Sequence, residues 1–199
     1  MPVNPYLRPD EANALGSACI GIAGAGGLGS NCAMHFVRSG VGRLVIADFD
    51  TVNESNLNRQ FFFRDQVGRM KVEALKENLL RISPECDIKT VAAKLDSLNV
   101  REVFAGCNVV VEAFDSAEAK AMIVGAFAKG PVPLVTASGL AGWGRSNAIR
   151  LRRLGANIVA IGDGETAVSP ETPPFSPRVG IAAAMEANAA ISLVLGVEP

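Results

Sequence analysis

The chain has 199 residues, 49% of them apolar and 20% charged, with a formal net charge of −1. That length is enough for one domain that buries its core without disulfides or a structural metal. Charge this balanced provides no electrostatic reason for bulk binding to nucleic acid or to an anionic membrane.

The opening stretch, MPVNPYLRPDEANAL, has neither a basic start nor an apolar centre, and a secretory leader is not expected. Residues 18–23 are apolar and run into glycines, which predicts a buried strand. Leu28, Cys32, Phe36 and Val37 then recur at helical spacing, and Gly40 closes that helix. His35 falls with Asn31 and Arg38 on the opposite face, as a solvated residue rather than a ligand or base. Residues 44–47 predict a second strand. After an irregular polar segment, Val72, Leu75, Leu79 and Ile82 define a further helix stopped by Pro84. Residues 88–92 predict a third strand, followed by a short helix opened by Ser97. Residues 109–113, with valines at 109–111, predict a fourth strand covered on both faces. Ser116 caps the next helix, whose stripe is Met122, Ile123, Ala126 and Phe127, and residues 132–137 predict a fifth strand.

This alternation predicts an α/β fold, a Rossmann-like, doubly wound and mostly parallel sheet. Beyond Ser138 the rhythm changes. Residues 147–153 and 157–161 predict an added antiparallel C-terminal pair turning at Gly155. Residues 163–178, rich in Pro, Ser, Thr and Glu, predict a long loop of the kind that is functional or mobile. An Ala-rich helix over 180–195 closes a single domain spanning 1–199, and Glu186 and Asn188 interrupt it, so no membrane span is expected. Cys19, Cys32, Cys86 and Cys107 form no C-x-x-C pair, and with one histidine a zinc site lacks ligands, so no zinc is expected. They read as core thiols of a cytoplasmic protein in a reducing compartment.

The first strand runs into Gly24-Ala25-Gly26-Gly27-Leu28-Gly29 and then a helix, a G-x-G-x-x-G in strand–turn–helix context. The first glycine allows the tight turn, the second lets backbone approach phosphate, and the third lets helix pack on strand. Asp48 follows Gly29 by 19 residues and ends the second strand, where a carboxylate can accept hydrogen bonds from ribose. Asp50, Asn56, Arg59 and Gln60 lie just beyond it, Lys71 begins the next helix, and Asp115 follows the fourth strand. Two cations and a carboxylate beside a phosphate loop suit ATP with Mg²⁺. Arg59 and Lys71 neutralise phosphate oxygens and Asp115 ligates the metal. Surface charges around an NAD site are the alternative, as in an oxidoreductase.

The strings GAGGLGS, SGVGRLVIADFDTVNESNLNRQ, VGRMK and VVVEAFDS resemble the E1-like activating enzymes that include MoeB and ThiF. TASGLAGWGRSN, IGDGE and SPRVGIAAAMEAN are similar to the short ThiF branch called family 2. The resemblance implies an adenylyltransferase that joins AMP to the C-terminal Gly-Gly carboxylate of a ubiquitin-like sulfur carrier, with thiamine biosynthesis the pathway favoured by analogy. By matching position, Asp48 holds ribose, Asn56, Arg59 and Lys71 bind the triphosphate, Asp115 holds Mg²⁺, and Gln60 matches the same motif. The resemblance also implies a homodimer in which an N-terminal arginine, here only Arg8, reaches the neighbour's phosphates. The family's zinc cysteines and crossover-loop cysteine are missing, so the reaction is expected to stop at the acyl-adenylate. Residues 139–147, with Trp143 and Arg145, either line the channel for the incoming tail or form a turn with an anchoring tryptophan. Adenylation of a modified-tRNA carboxylate and a non-catalytic scaffold are the remaining alternatives. The modest charge makes nucleic acid the less expected partner.

Overall fold

The computed structural model describes residues 4–199, so Met1 to Val3 of the stretch examined for a leader lie outside the described residues. Seven strands form one sheet: β1 (Cys19–Ala23), β2 (Arg43–Ala47), β3 (Asp87–Val91), β4 (Val109–Glu112), β5 (Leu134–Ala137), β6 (Arg150–Arg153) and β7 (Ile158–Gly162). Their order is β3-β2-β1-β4-β5-β7-β6. All neighbours run parallel except β6, which pairs antiparallel with β7 at the edge. The expected parallel sheet with an antiparallel addition is therefore present. The reversal of strand order between β1 and β4 opens a crevice at the carboxyl edge.

Six helices cover the sheet: α1 (Pro9–Ser17), α2 (Gly27–Arg38), α3 (Lys71–Leu80), α4 (Val100–Val103), α5 (Ala117–Phe127) and α6 (Ser176–Val194). Alternate residues of one strand serve two cores. Val109 and Val111 of β4 face α2, α3 and α6, while Val110 faces Phe104 just after α4 and Ile123 and Phe127 of α5. Every residue of β4 is buried, which is why its sequence is continuously apolar until Glu112.

The larger departures from expectation fall at four places. Helix α1 was not foreseen. It starts at Pro9, where a missing N–H costs nothing, and the Glu11 carboxylate accepts the Arg8 N–H at 3.0 Å. Helix α6 starts at Ser176 rather than 180, because Pro177 is tolerated in a first turn. Ser97 does not open α4; the Asp96 carboxylate accepts the Leu98 and Asn99 N–H groups and makes that turn. Residues 146–148 are a single 3₁₀ turn, and β6 begins only at Arg150.

Helix α6 packs along α2 through Ala182, Ala183, Ala187 and Ala190, whose small side chains let the two backbones approach. Within that seam lie two polar groups, Cys32 and Glu186, both fully buried. The Cys32 thiol donates to the Ala183 carbonyl at 3.3 Å and lies 3.6 Å from Glu186 Oε2, while Glu186 Oε1 has no partner. Burial pushes the Cys32 thiol well up, and the neighbouring Glu186 adds to it. At the opposite end of the sheet the Cys19 and Cys107 sulfurs touch at 3.6 Å, and the bond from Cys107 brings the Cys19 thiol to about 7 against the opposing effect of burial. His35 is half-buried rather than solvated, and burial lowers its pKa, assisted by Arg38.

Burial raises the Glu186 carboxyl well above its ordinary range, and the negative Glu112 raises it further, with Lys120 opposing. The folded form therefore keeps this acid neutral at pH values where the unfolded chain ionises it. Its contribution to stability is full below the unfolded value of 4.5 and is lost as pH rises through the folded value. Glu186→Gln is expected to gain about 1–3 kcal/mol over the parent at pH 8, with little gain at pH 4. Urea unfolding at both pH values checks this, and an equal difference at the two would show that Glu186 is ionised in the fold.

Candidate functional site

The glycine loop joins β1 to α2, and its geometry leaves no room for a side chain at Gly24 or Gly29. Gly24 has φ of +101°, and a methyl group there would stand 2.9 Å from the Ala113 carbonyl at the end of β4. A methyl at Gly29 would overlap the Gly24 carbonyl itself, so the first turn of α2 lies directly on the loop. Gly26 precedes the helix as its cap without a capping side chain, which leaves first-turn N–H groups for an anion.

Asp48, at the end of β2, ties this loop to the neighbouring strand. Its Oδ2 accepts the Ala25 N–H at 2.6 Å and its Oδ1 accepts the Asp50 N–H at 2.7 Å. Each oxygen retains a second acceptor site for a ribose hydroxyl.

The polar segment after β2 folds back over the glycine loop. Arg59 crosses Gly27, its Cγ 3.5 Å from where a Gly27 methyl would sit. Its guanidinium donates to the Ser55 carbonyl at 3.1 Å and to Asn58 Oδ1 at 2.7 Å. Gln60 is buried, with Nε2 4.0 Å from the Gly26 methyl position and Oε1 without a partner. Asn56 is half-buried and its Oδ1 accepts the Asn53 N–H at 3.0 Å.

Two residues that the sequence did not single out hold this arrangement together. Ser30 Oγ donates to the Gly26 carbonyl at 2.6 Å and accepts the Phe61 N–H at 3.0 Å. Asn31 Nδ2 reaches both the Gly27 and Arg59 carbonyls, at 2.6 and 2.9 Å. Both follow the glycine motif directly, and polar residues in the first turn of an otherwise apolar-faced helix were the available signal.

Lys71 begins α3, but it is not a solvated helix-start lysine. It is 6% exposed and its Nζ lies 2.8 Å from Asp50 Oδ2. Asp50 therefore connects Lys71 to Asp48 through its own backbone N–H. Asp115 stands on the exposed turn between β4 and α5 and, among the described residues, takes part in no ion pair. Beneath it the sequence reading missed a buried cluster. Glu112 is fully buried and accepts from the Phe114 N–H at 2.6 Å, from Lys120 Nζ at 2.9 and 3.0 Å, and from the Thr136 hydroxyl. Lys120 also donates to the Ala137 carbonyl at 3.0 Å, so the ends of β4 and β5 are cross-linked under the Asp115 turn. No short-range pattern signals this pairing.

The far wall of the crevice is the start of α6. Val179 reaches Gly27, with 3.1 Å between its Cγ1 and the position of a Gly27 methyl. Arg178 and Asp163, each with a side chain 3% exposed, pair at 2.6 Å, and Arg178 also donates to the Gly144 and Arg145 carbonyls at 2.7 and 3.2 Å. Burial favours the neutral form of Asp163. The Thr166 and Glu165 N–H groups, the Thr166 hydroxyl and Arg178 outweigh that and hold its carboxyl below the usual range. Arg8 lies apart from the crevice residues' contacts, bound to Glu11 at 2.8 Å and close to Asp10 at 3.7 Å.

The structure thus brings the glycine loop, Asp48, Asp50, Arg59, Gln60 and Lys71 into one contact network. Asp115 joins it only through the shared sheet edge. Asp50→Asn removes the carboxylate partner of a buried ammonium, and since Asp50 is half-exposed the loss is expected to be about 1–2 kcal/mol in urea unfolding. An unchanged unfolding midpoint would mean that Lys71 finds other compensation.

Three comparisons bear on the chain as a whole. Over 127 residues it is 35% identical to the tRNA threonylcarbamoyladenosine dehydratase of Escherichia coli, a match covering 63% of this chain and 47% of that protein. It is 30% identical over 185 residues to the molybdopterin-synthase adenylyltransferase of Salmonella typhimurium, covering 91% and 74% of the two chains. The AMP complex of the E. coli dehydratase superposes with a TM-score of 0.88 at 23% identity, covering 94% of this chain and 90% of that one, and shows a shared fold. The match spans about half of the curated dehydratase. The ThiF family matches residues 3–199, and the chain belongs to it.

Proposed function

We propose that this chain is an ATP-dependent adenylyltransferase that activates the C-terminal Gly-Gly carboxylate of a ubiquitin-like sulfur carrier as an acyl-adenylate. The observation that carries this reading is the network in which Asp48, Arg59 and the Lys71–Asp50 pair surround a glycine loop with unfilled helix N–H groups. A nicotinamide dinucleotide has no use for two extra cations at that place. The names of the relatives, an adenylyltransferase and an enzyme solved with AMP, agree with it. Thiamine biosynthesis, a cytoplasmic setting and a homodimer belong to the same reading, and four unpaired buried thiols agree with a reducing compartment.

The chemistry asks little of the protein beyond positioning. A carboxylate is already a nucleophile at neutral pH, so no general base is needed. Its oxygen forms a bond to the α-phosphorus as the bond to the bridging oxygen breaks, and pyrophosphate leaves with the electron pair. First-turn N–H groups of α2 hold phosphate oxygens, Asp48 anchors the ribose, and Arg59 and Lys71 neutralise charge that grows on the leaving pyrophosphate. Lys71 exchanges Asp50 for phosphate as the nucleotide enters. Asp115, an exposed carboxylate without a competing cation, suits a hard divalent ion shared with phosphate oxygens, and Mg²⁺ bound there would supply further charge neutralisation. A neighbour's Arg8 could join only after leaving Glu11.

A second reading, adenylation of a carboxylate on modified tRNA, has two observations in its favour. One is the likeness to the dehydratase, and the other is an edge strand, β6, carrying Arg150, Arg152 and Arg153. Two of these arginines are engaged within the chain, Arg152 with the Asp163 carbonyl at 3.1 Å and Arg153 with Glu198 at 2.6 Å. That favours the carrier. Incubation with ATP labelled at the α-phosphate separates the two readings, with label expected on a small protein and not on tRNA.

Arg59→Ala is expected to lower ATP–pyrophosphate exchange about 10²–10³-fold. Asp115→Ala is expected to abolish Mg²⁺-dependent exchange with the circular dichroism spectrum unchanged. Full exchange in either variant removes that residue from the mechanism.

A further inference from the structure

Two exposed aromatic side chains stand on the wall opposite Arg59. Trp143 is 65% exposed and Phe175 is 44% exposed, and their rings pack at 5.2 Å with an interplanar angle of 58°. The backbone that carries them is held from several directions. The Gly142 N–H donates to the Pro173 carbonyl at 3.0 Å, and Gly142 also pairs with Pro174 as a bridge. The buried Arg178 holds the Gly144 and Arg145 carbonyls, and Arg145 takes a left-handed conformation with φ of 49°, which costs about 1 kcal/mol or more outside glycine. The ordering cost of this surface is therefore met by the fold, before any ligand arrives.

Its position ties it to the reaction. Phe175 caps α6, and Val179, one turn further on, is the side chain that touches Gly27, so the aromatic pair and the phosphate loop share the first turn of one helix. Methyl groups built on Gly142 and Gly144 meet nothing within 4 Å, which leaves space for a second chain to approach the backbone there. The surrounding charge selects the class of partner. Residues 163–175 carry two exposed carboxylates, Glu165 and Glu171, and no lysine or arginine, Asp163 being buried against Arg178; Glu165 lies 3.9 Å from Arg145. A phosphodiester backbone would meet those carboxylates, whereas a neutral polypeptide would not.

We propose that Trp143 and Phe175 form a docking platform for a large apolar side chain a few residues before the C-terminus of an extended polypeptide acceptor, an inference that rests on the acyl-adenylation reading and narrows its substrate. The platform would then set which tails are accepted, while the glycine loop and its cations act on any carboxylate delivered to them.

Trp143 is the chain's single tryptophan, so its fluorescence reports on this surface directly. Three probes are compared in ATP and Mg²⁺. They are a ten-residue peptide ending in Gly-Gly with phenylalanine four residues from the end, the same peptide with serine at that place, and a ten-nucleotide single-stranded RNA. The phenylalanine peptide is expected to reduce acrylamide quenching of Trp143 at least threefold and the other two are not. Trp143→Ala is expected to raise the KM for that peptide roughly tenfold, with kcat within twofold, and Trp143→Phe to restore it. Equal protection by the serine peptide, protection by the RNA, or no protection at all overturns the platform. Mass spectrometry for peptide–AMP separates the two layers. AMP transfer with Trp143 unprotected and KM unmoved overturns the platform and leaves adenylation standing. Protection without AMP transfer overturns the adenylation reading and supports the platform.

Discussion

The contact on which the site depends is that of Gly29 with the Gly24 carbonyl. It is too close for any side chain, and it seats the first turn of α2 directly on the loop that leaves β1. Everything that touches the loop takes its place from this contact. Asp48 can accept the Ala25 N–H because the loop turns toward β2, Ser30 can clasp the Gly26 carbonyl because α2 begins there, and Arg59 lies over Gly27 at the start of that helix. The proposed anion site is thereby organised before a nucleotide arrives, which is where the proposed reaction, needing no general base, must find its rate.

Around the same sheet edge stand three ion pairs with at least one deeply buried member: Lys71–Asp50, Lys120–Glu112 and Arg178–Asp163. Burying charge costs several kcal/mol per ion before pairing returns it, so such pairs are poor devices for stability alone. What they share here is an address. Each anchors a different loop of the crevice: the segment after β2, the Asp115 turn after β4, and the turn of residues 139–147 after β5. A hydrophobic contact would hold those loops as firmly. It would not fix the direction of a carbonyl or carboxylate, and the crevice is built from such directions.

The division of labour across the crevice follows from where the chain is rigid and regular. In the proposed reading the phosphate-facing groups sit on strand ends and helix starts, whose geometry is common to many α/β proteins. The opposite wall is made of loops after β5 and β7, where composition is free to vary without disturbing the sheet. Specificity for the second substrate is expected to lie on that wall.

Local order was legible in the sequence wherever spacing along the chain equals proximity in space. The glycine motif with Asp48 in register, the three valines of β4 and the Ser116 cap are of this kind, as is the antiparallel turn at Gly155, because each is decided within a few residues or by one period. Helix α1, unforeseen, and the early start of α6 each carry a proline in the first turn, where its missing N–H costs nothing. Tertiary structure alone decided the rest. Lys71 appears solvated until Asp50 is brought 2.8 Å from it, and Glu112 and Lys120 are unremarkable until β4, α5 and β5 converge. Arg178 is one residue of a helix until burial with Asp163 makes it the anchor of a turn 33 residues away. Pairings between distant residues leave no periodic trace, since the free energy that selects them appears only when the packed sheet has excluded water from both partners.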